Sequence, residues 1–250
     1  MDPEVYRGMA EHEDRHWWFV GRRAVIGAML GRIPLGPDAR VLEAGCGTGG
    51  NLYLLSGAGT VSAFEPHEEA RGLAADKHPT VAIADGELPF RVPFPPGSFD
   101  LVAALDVLEH VEEDEAALRS LVARARPGGW IIVTVPAIQE LWGSHDRRLH
   151  HVRRYSRGRL RRIARASGAE IEYETYCNTI VAPIAIALRL AERLTGREVG
   201  DQERMPAAPI NAVLARVFSL ERHVVGRRSL PVGLSLAMIL RRPEEPAANR

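Results

Sequence analysis

Lysine is almost absent from this chain: Lys77 is the only one, and arginine carries nearly all of the positive charge. That usage fits a high-GC bacterial coding sequence rather than a function. There are two cysteines, Cys46 and Cys177, too few for a disulfide framework and without metal-ligand spacing. A reducing, cytoplasmic compartment is the simplest expectation. No single charge dominates either, since 32 basic and 32 acidic residues cancel, so no global attraction to nucleic acid is indicated. Long apolar runs are also missing. The longest, Thr179 to Leu188, is interrupted by Pro183, whereas a bilayer span needs about 20 residues. The first 20 residues are acidic and aromatic rather than basic then apolar, so no secretory signal is expected. Internal repeats and low-complexity tracts are absent as well.

What is present suits a globular α/β chain. With 46% hydrophobic and 26% charged residues, 250 residues can bury a self-sufficient core. Helical spacing over Ala10 to Leu30 is closed by Pro34 and Gly36-Pro37. Apolar runs at Arg40–Glu43, Val61–Glu65, Thr80–Ala84, Phe99–Leu105 and Trp130–Val135 read as strands. Between them, Asn51–Leu55, His67–Lys77 and Val111–Ala125 read as helices. That alternation implies right-handed crossovers and a parallel sheet with helices on both faces. Beyond Pro136 the spacing predicts a helix capped by Ser156 and stopped by Gly168, a strand over Ala169–Cys177, mostly helix from Thr179 to Val225, and a last strand over Gly233–Leu240.

The most informative stretch is Val41 to Gly50, a strand end carrying Glu43 that runs into a loop with Gly45, Gly47, Gly49 and Gly50. Glycines there let backbone N–H groups approach a ligand closely. Gly45, Gly47 and Gly50 with Glu65 also satisfy the dinucleotide pattern, which leaves an NAD(P)-dependent oxidoreductase open. Glu43 argues otherwise, because an acid two residues before the loop offers nothing to a pyrophosphate and suits a cationic group.

At this point the chain resembles the class I S-adenosylmethionine-dependent methyltransferases, in the small-molecule type 11/12-like subgroup. Glu43, Gly45, Gly47 and Gly49 match the first motif of that family. In order follow Glu65 in Phe-Glu-Pro, Asp85-Gly86, Phe99-Asp100-Leu101-Val102, Leu105-Asp106-Val107-Leu108-Glu109-His110 and Arg126-Pro127-Gly128-Gly129. The resemblance covers about Arg40 to Pro136. It implies a Rossmann-like, seven-stranded, mostly parallel sheet with an antiparallel last strand. Along one methyltransferase domain (1–250) it implies an N-terminal lid helix (10–33), a cofactor-binding core (39–136), an acceptor-side half (137–178 and 232–241) and a helical insertion (179–231). S-adenosyl-L-methionine is the implied cofactor. Glu65 would take the ribose diol, Asp85 with Gly86 the adenine, and Glu43 the methionine ammonium, while Leu105 and Asp106 would line the cleft. The alternatives are an exposed acid at Glu65, an Asp-Gly turn at Asp85 and a helix cap at Asp106.

Three further features bear on function. Trp18 and Arg22, in an aromatic and basic segment, either fold over the cofactor as a lid or pack on the sheet. Nine arginines from Arg147 to Arg165 face one acid, Asp146, and Trp142, Asp146, His151, Arg153, Arg154 and Tyr155 resemble a pattern in bacterial enzymes of glycan and lipid-linked pathways. The implied acceptor is small or lipid-linked and anionic. The alternative is that Arg157, Arg161 and Arg165, four apart, form one solvated helix face. Finally, Ile180 to Leu190 is apolar nearly all round, fitting burial, a homodimer seam or peripheral contact at the inner face of a membrane. His110, His145, His151 and Tyr155 are the candidate acid–base residues. Methyl transfer from a sulfonium needs alignment more than a metal, so no metal is expected. A cofactor-binding partner protein without catalysis also remains open.

Overall fold

The computed structural model describes residues 3–187 and 205–244. Its sheet holds seven strands: β1 (Arg40–Ala44), β2 (Thr60–Phe64), β3 (Ala82–Ala84), β4 (Phe99–Leu105), β5 (Ala125–Pro136), β6 (Glu170–Cys177) and β7 (Ser235–Arg241). They are ordered β3-β2-β1-β4-β5-β7-β6. All pairings are parallel except those of β7, which runs antiparallel to both β5 and β6. The expected Rossmann-like sheet with its antiparallel last strand is therefore present. β4 shows why a parallel strand reads as a continuous apolar run: Leu101 to Ala104 are fully buried, because helices cover both faces.

On one face Leu42, Val102, Ile131, Val133 and Met238 pack against α5 (Asp114–Arg124) and α7 (Arg157–Ala166). On the other, Val41, Leu101, Ala103, Ile132 and Ile239 meet residues of α2 (Trp17–Leu30), α3 (Leu52–Ser56), α4 (Glu68–Lys77) and α8 (Ala208–Ser219). The described residues also form α1 (Pro3–His12) and α6 (Ser144–Arg148). Ser156 caps α7 as expected, accepting from the Arg159 N–H at 3.2 Å, and Gly168 follows that helix with φ +80°.

The N-terminal region departs from the single helix expected over Ala10 to Leu30. It forms α1 and α2, broken at 13–16, where the His16 side chain accepts from the Trp18 N–H and restarts the chain as α2. Part of the apolar segment from Ile180 lies outside the described residues, including Leu188, Arg189, Leu190 and Arg193. Downstream of it, α8 packs on α2. The contact is close because Gly21 has no side chain: a Cβ there would stand 2.2 Å from the Phe218 ring. No helix among the described residues is long and apolar enough to cross a membrane.

Candidate active site

The glycine loop leaves the carboxyl end of β1 and is fastened to β2, whose Phe64 carbonyl accepts from the Gly45 and Cys46 N–H groups at 2.9 and 3.2 Å. Gly45, Gly47 and Gly49 all have positive φ, the backbone state that L side chains avoid. Their surroundings differ. A Cβ on Gly45 would press on Val107, and one on Gly49 on His78, whereas a Cβ on Gly47 would meet nothing within 4 Å. The loop is therefore packed from behind and open in front at Gly47.

Two acids flank this opening. Glu43 is buried, with one oxygen accepting from Asn51 Nδ2 at 3.1 Å and the other, Oε2, without a partner. Burial raises its pKa to about 8. Glu65, also buried, accepts from the N–H groups of Gly47 at 2.9 Å and His67 at 3.0 Å, and burial again raises its pKa. A buried carboxylate with an orphaned oxygen at the base of a loop that is open at Gly47 fits a ligand carrying a cationic group, such as the ammonium of an amino acid moiety. Asp85 lies beyond β3, half exposed and paired with Arg71 at 3.3 Å and with Arg91. Gly86 gives way to Pro93, which a Cβ would approach to 2.5 Å.

Leu105 is buried at the end of β4, and the next residue, Asp106, turns back with φ +59°. Its carboxylate pairs with Arg22 at 3.0 Å and accepts from Thr134 Oγ1 at 2.8 Å. Arg22, Asp106, Thr134, Asn178, Phe218 and Ser235 line a small cavity beyond the carboxyl ends of β4, β5 and β6. In an open α/β sheet that is where a ligand binds. Arg22 thus sits in the cleft, engaged by Asp106.

Several expectations need correction. Trp18 does not stand as a face over the cleft: its ring lies 5.7 Å from Phe218 and edge-on to Trp17, packed between α2 and α8. The cover over the loop comes from α1 and the turn after it, which sequence reasoning missed. Glu13 accepts from Thr48 Oγ1 at 2.7 Å and from Lys77 at 2.6 Å, filling the space beside Gly50. Tyr6 lies 4.4 Å from His67, and burial followed by the Glu65 charge pushes its pKa to about 12. The sole lysine was the available signal, since Lys77 is what pairs the buried Glu13.

Tyr155 is not an acid–base candidate. It is fully buried in the core, with its hydroxyl shared between the Leu108 carbonyl at 3.1 Å and Asp114 at 3.0 Å, and burial raises its pKa. Nor do Arg153 and Arg154 present charge to an acceptor. Arg153 donates to the Val111 and Glu112 carbonyls, and Arg154 to Asp146 at 2.8 Å and the Ala137 carbonyl. Of the supposed solvated stripe, Arg161 and Arg165 are exposed, but Arg157 stacks on Tyr176 and donates to the Leu230 carbonyl.

The histidines do converge. His110, after β4, and His151, in the loop before α7, have ring centres 4.8 Å apart, and His145 is 6.4 Å from His151. Burial and then the neighbouring His151 lower the His110 pKa to about 4, leaving it neutral at physiological pH. His151 Nδ1 is 3.0 Å from Asp146, a fully buried carboxylate. Burial opposes its ionisation, but hydrogen bonds from His151, Arg154 and the Gly143 N–H prevail and hold its pKa well below the usual range. Both cysteines are buried and free.

The profile of the methyltransferase-domain family matches residues 21–174, from α2 through β6. The chain belongs to the class I S-adenosylmethionine-dependent methyltransferases. A Mycolicibacterium smegmatis protein named a probable S-adenosylmethionine-dependent methyltransferase is 29% identical over 168 residues, 66% of this chain and 63% of that relative. The malonyl-[acyl-carrier protein] O-methyltransferase of Enterobacter lignolyticus is 29% identical over 187 residues, 70% of each chain. Among solved structures, a chain of the complex between the Haloferax volcanii Trm112 methyltransferase activator and a methyltransferase superposes with a TM-score of 0.62 at 18% identity. It covers 98% of this chain and 96% of its own. The family's cofactor is S-adenosylmethionine, and the orphaned Glu43 oxygen, the open space before Gly47 and the Glu65 carboxylate fit it.

Proposed function

We propose that this chain is an S-adenosylmethionine-dependent methyltransferase acting on a small or lipid-linked, anionic acceptor at the inner face of the cytoplasmic membrane. One observation carries the cofactor part: Glu43 is buried with an unpartnered oxygen at the base of the glycine loop. An ammonium there would favour the ionised carboxylate and be held by it, whereas a pyrophosphate would gain nothing from this group in either form. Bound S-adenosylmethionine supplies a methyl group already activated on a sulfonium. The chain's own part is to orient and dehydrate. Glu43 takes the ammonium, Glu65 exchanges its hydrogen bonds to the loop for ribose hydroxyls, and Asp106 with Arg22 marks the boundary between cofactor and acceptor.

For the acceptor, the support is the surface beyond the cavity. Ile180, Ile184, Ile210, Val213 and Leu220 are exposed large apolar residues, Arg222, Arg227 and Arg228 are exposed shortly after Leu220 in the chain, and the Ile180 N–H donates to Glu221 at 2.9 Å. Exposed apolar and basic side chains in these segments suit a lipid chain attached to an anionic head. Exposed Arg147, Arg162 and Arg165 add positive charge to the acceptor-side half.

Calorimetry with S-adenosylmethionine and with NADH, followed by transfer of a labelled methyl group into lysate and lipid-extract fractions, tests the whole reading. Binding of NADH alone would point to the oxidoreductase. Cofactor binding with no label transferred to any fraction would leave a binding module. In the expected case the Glu65→Gln variant binds the demethylated cofactor roughly 10- to 150-fold more weakly, for loss of charged hydrogen bonds of about 1.5–3 kcal/mol.

A further inference from the structure

Glu109 is an anomaly that methyl transfer does not use. It sits in the 3-10 turn Leu108–His110, is completely buried, and neither of its carboxylate oxygens has a hydrogen-bond partner. A buried ionised carboxylate without a partner costs several kcal/mol, so such a group either stays protonated or awaits a cation. No arginine or lysine is hydrogen-bonded to it; Arg22 and Arg154 act on it only through their charge.

What surrounds it is a set of nitrogen donors. One ligand atom each from Glu109, His110 and His151 lie within 4.8 Å of one another. A tetrahedral ion with ligands at about 2.1 Å needs donor separations of about 3.4 Å, a closure within reach of side-chain rotation. Both histidines are already held from behind. His151 Nδ1 is tied to the buried Asp146 at 3.0 Å, and the His110 ring is bonded to the His150 carbonyl. Each therefore has its second ring nitrogen to give, fixed in tautomer by a carboxylate or a carbonyl, which is the usual outer arrangement of metal-binding histidines.

We propose that Glu109, His110 and His151 form a site for one divalent first-row transition metal, with Asp146 as the positioning residue behind His151. Two imidazoles and one carboxylate favour zinc-like ions over magnesium or calcium, which take oxygen ligands. Three protein ligands leave at least one coordination position open. Glu109 and His110 follow Asp106, which lines the small cavity at the end of β4, by three and four residues. If methyl transfer is the activity and its acceptor reaches the open position, an acceptor oxygen there would be oriented or acidified by the metal, a consequence that rests on the proposed function. The metal site itself does not.

The test uses untagged full-length chain, dialysed against chelator and titrated with Zn²⁺ by calorimetry and with Co²⁺ by visible absorption, in the absence of S-adenosylmethionine. Expected are one ion per chain, Co²⁺ bands of low coordination number, and at least tenfold weaker binding in Glu109→Gln and His151→Ala. Asp146→Asn should weaken it by 10- to 100-fold. Glu109→Gln removes a buried charge, so its metal-free melting temperature should equal or exceed that of the wild type while the metal-induced rise disappears. Absence of stoichiometric binding, wild-type affinity in a His110→Ala/His151→Ala variant, or Mg²⁺ competing with Zn²⁺ at equal concentration would overturn the proposal. Because the cofactor is left out, failure of methyl transfer and failure of metal binding are read separately.

Discussion

If Glu43 receives the cofactor's ammonium, binding must be accompanied by loss of a proton. Burial holds its pKa at about 8, so at pH 7 about 0.9 of the molecules carry a proton there. An ammonium at the unpartnered Oε2 favours the ionised form, and that proton leaves. Titration of the demethylated cofactor in phosphate and in Tris at pH 7 should therefore give enthalpies that differ by about 0.9 times the difference in buffer ionisation enthalpy. Linkage adds a second reading: affinity should tighten about eightfold between pH 6.5 and 7.5. In Glu43→Gln, which can keep the bond to Asn51, both effects should vanish and affinity should fall. The same residue sets a stability trend in the cofactor-free protein. Its folded pKa is raised, so stability present below pH 4.5 is lost as pH rises towards 8, on the order of 5 kcal/mol across that window. A buffer-independent enthalpy together with pH-independent affinity would refute the assignment of the ammonium to Glu43.

Two other substitutions separate binding from packing. Gly47→Ala places a methyl group in open space at φ +54°, so folding should cost about 1–2 kcal/mol by urea denaturation, while cofactor affinity falls much further because the methyl occupies the ligand's approach. Equal affinity in the variant would move the cofactor away from the loop. Tyr155→Phe loses a buried hydrogen bond to Asp114 and should lower stability by about 1.5–3 kcal/mol, or the melting temperature by roughly 3–12 °C, with the turnover of the folded enzyme unchanged. A large loss of turnover at unchanged melting temperature would return Tyr155 to the chemistry.

Sequence alone determined whatever depends on neighbouring residues. The alternation of apolar runs and amphipathic segments placed the strands to within two residues at each end, because strand periodicity and glycine or proline punctuation are local properties; the exception is β5, which begins at Ala125 rather than Trp130. The glycine loop was legible for the same reason: positive φ at Gly45, Gly47 and Gly49 is a demand that only the local residue can meet. Glu43 and Glu65 could be placed because strand ends carry their side chains to the cleft.

Tertiary structure decided everything that depends on which distant group answers a charge. Arg153 and Arg154 looked available in the sequence, yet carbonyls and Asp146 use them; Tyr155, next in the chain, is in the core. Glu13 reaches the glycine loop only because Lys77, on α4, meets it there. Glu109 and His151, 42 positions apart in the numbering, become neighbours through the packing of the loop before α7 against the end of β4, where the Val152 N–H donates to the Glu109 carbonyl. A side chain's charge is written in its own residue, whereas its desolvation and its partner are set by residues far along the chain, and those two quantities determine whether an acid or an arginine holds the fold or holds a ligand.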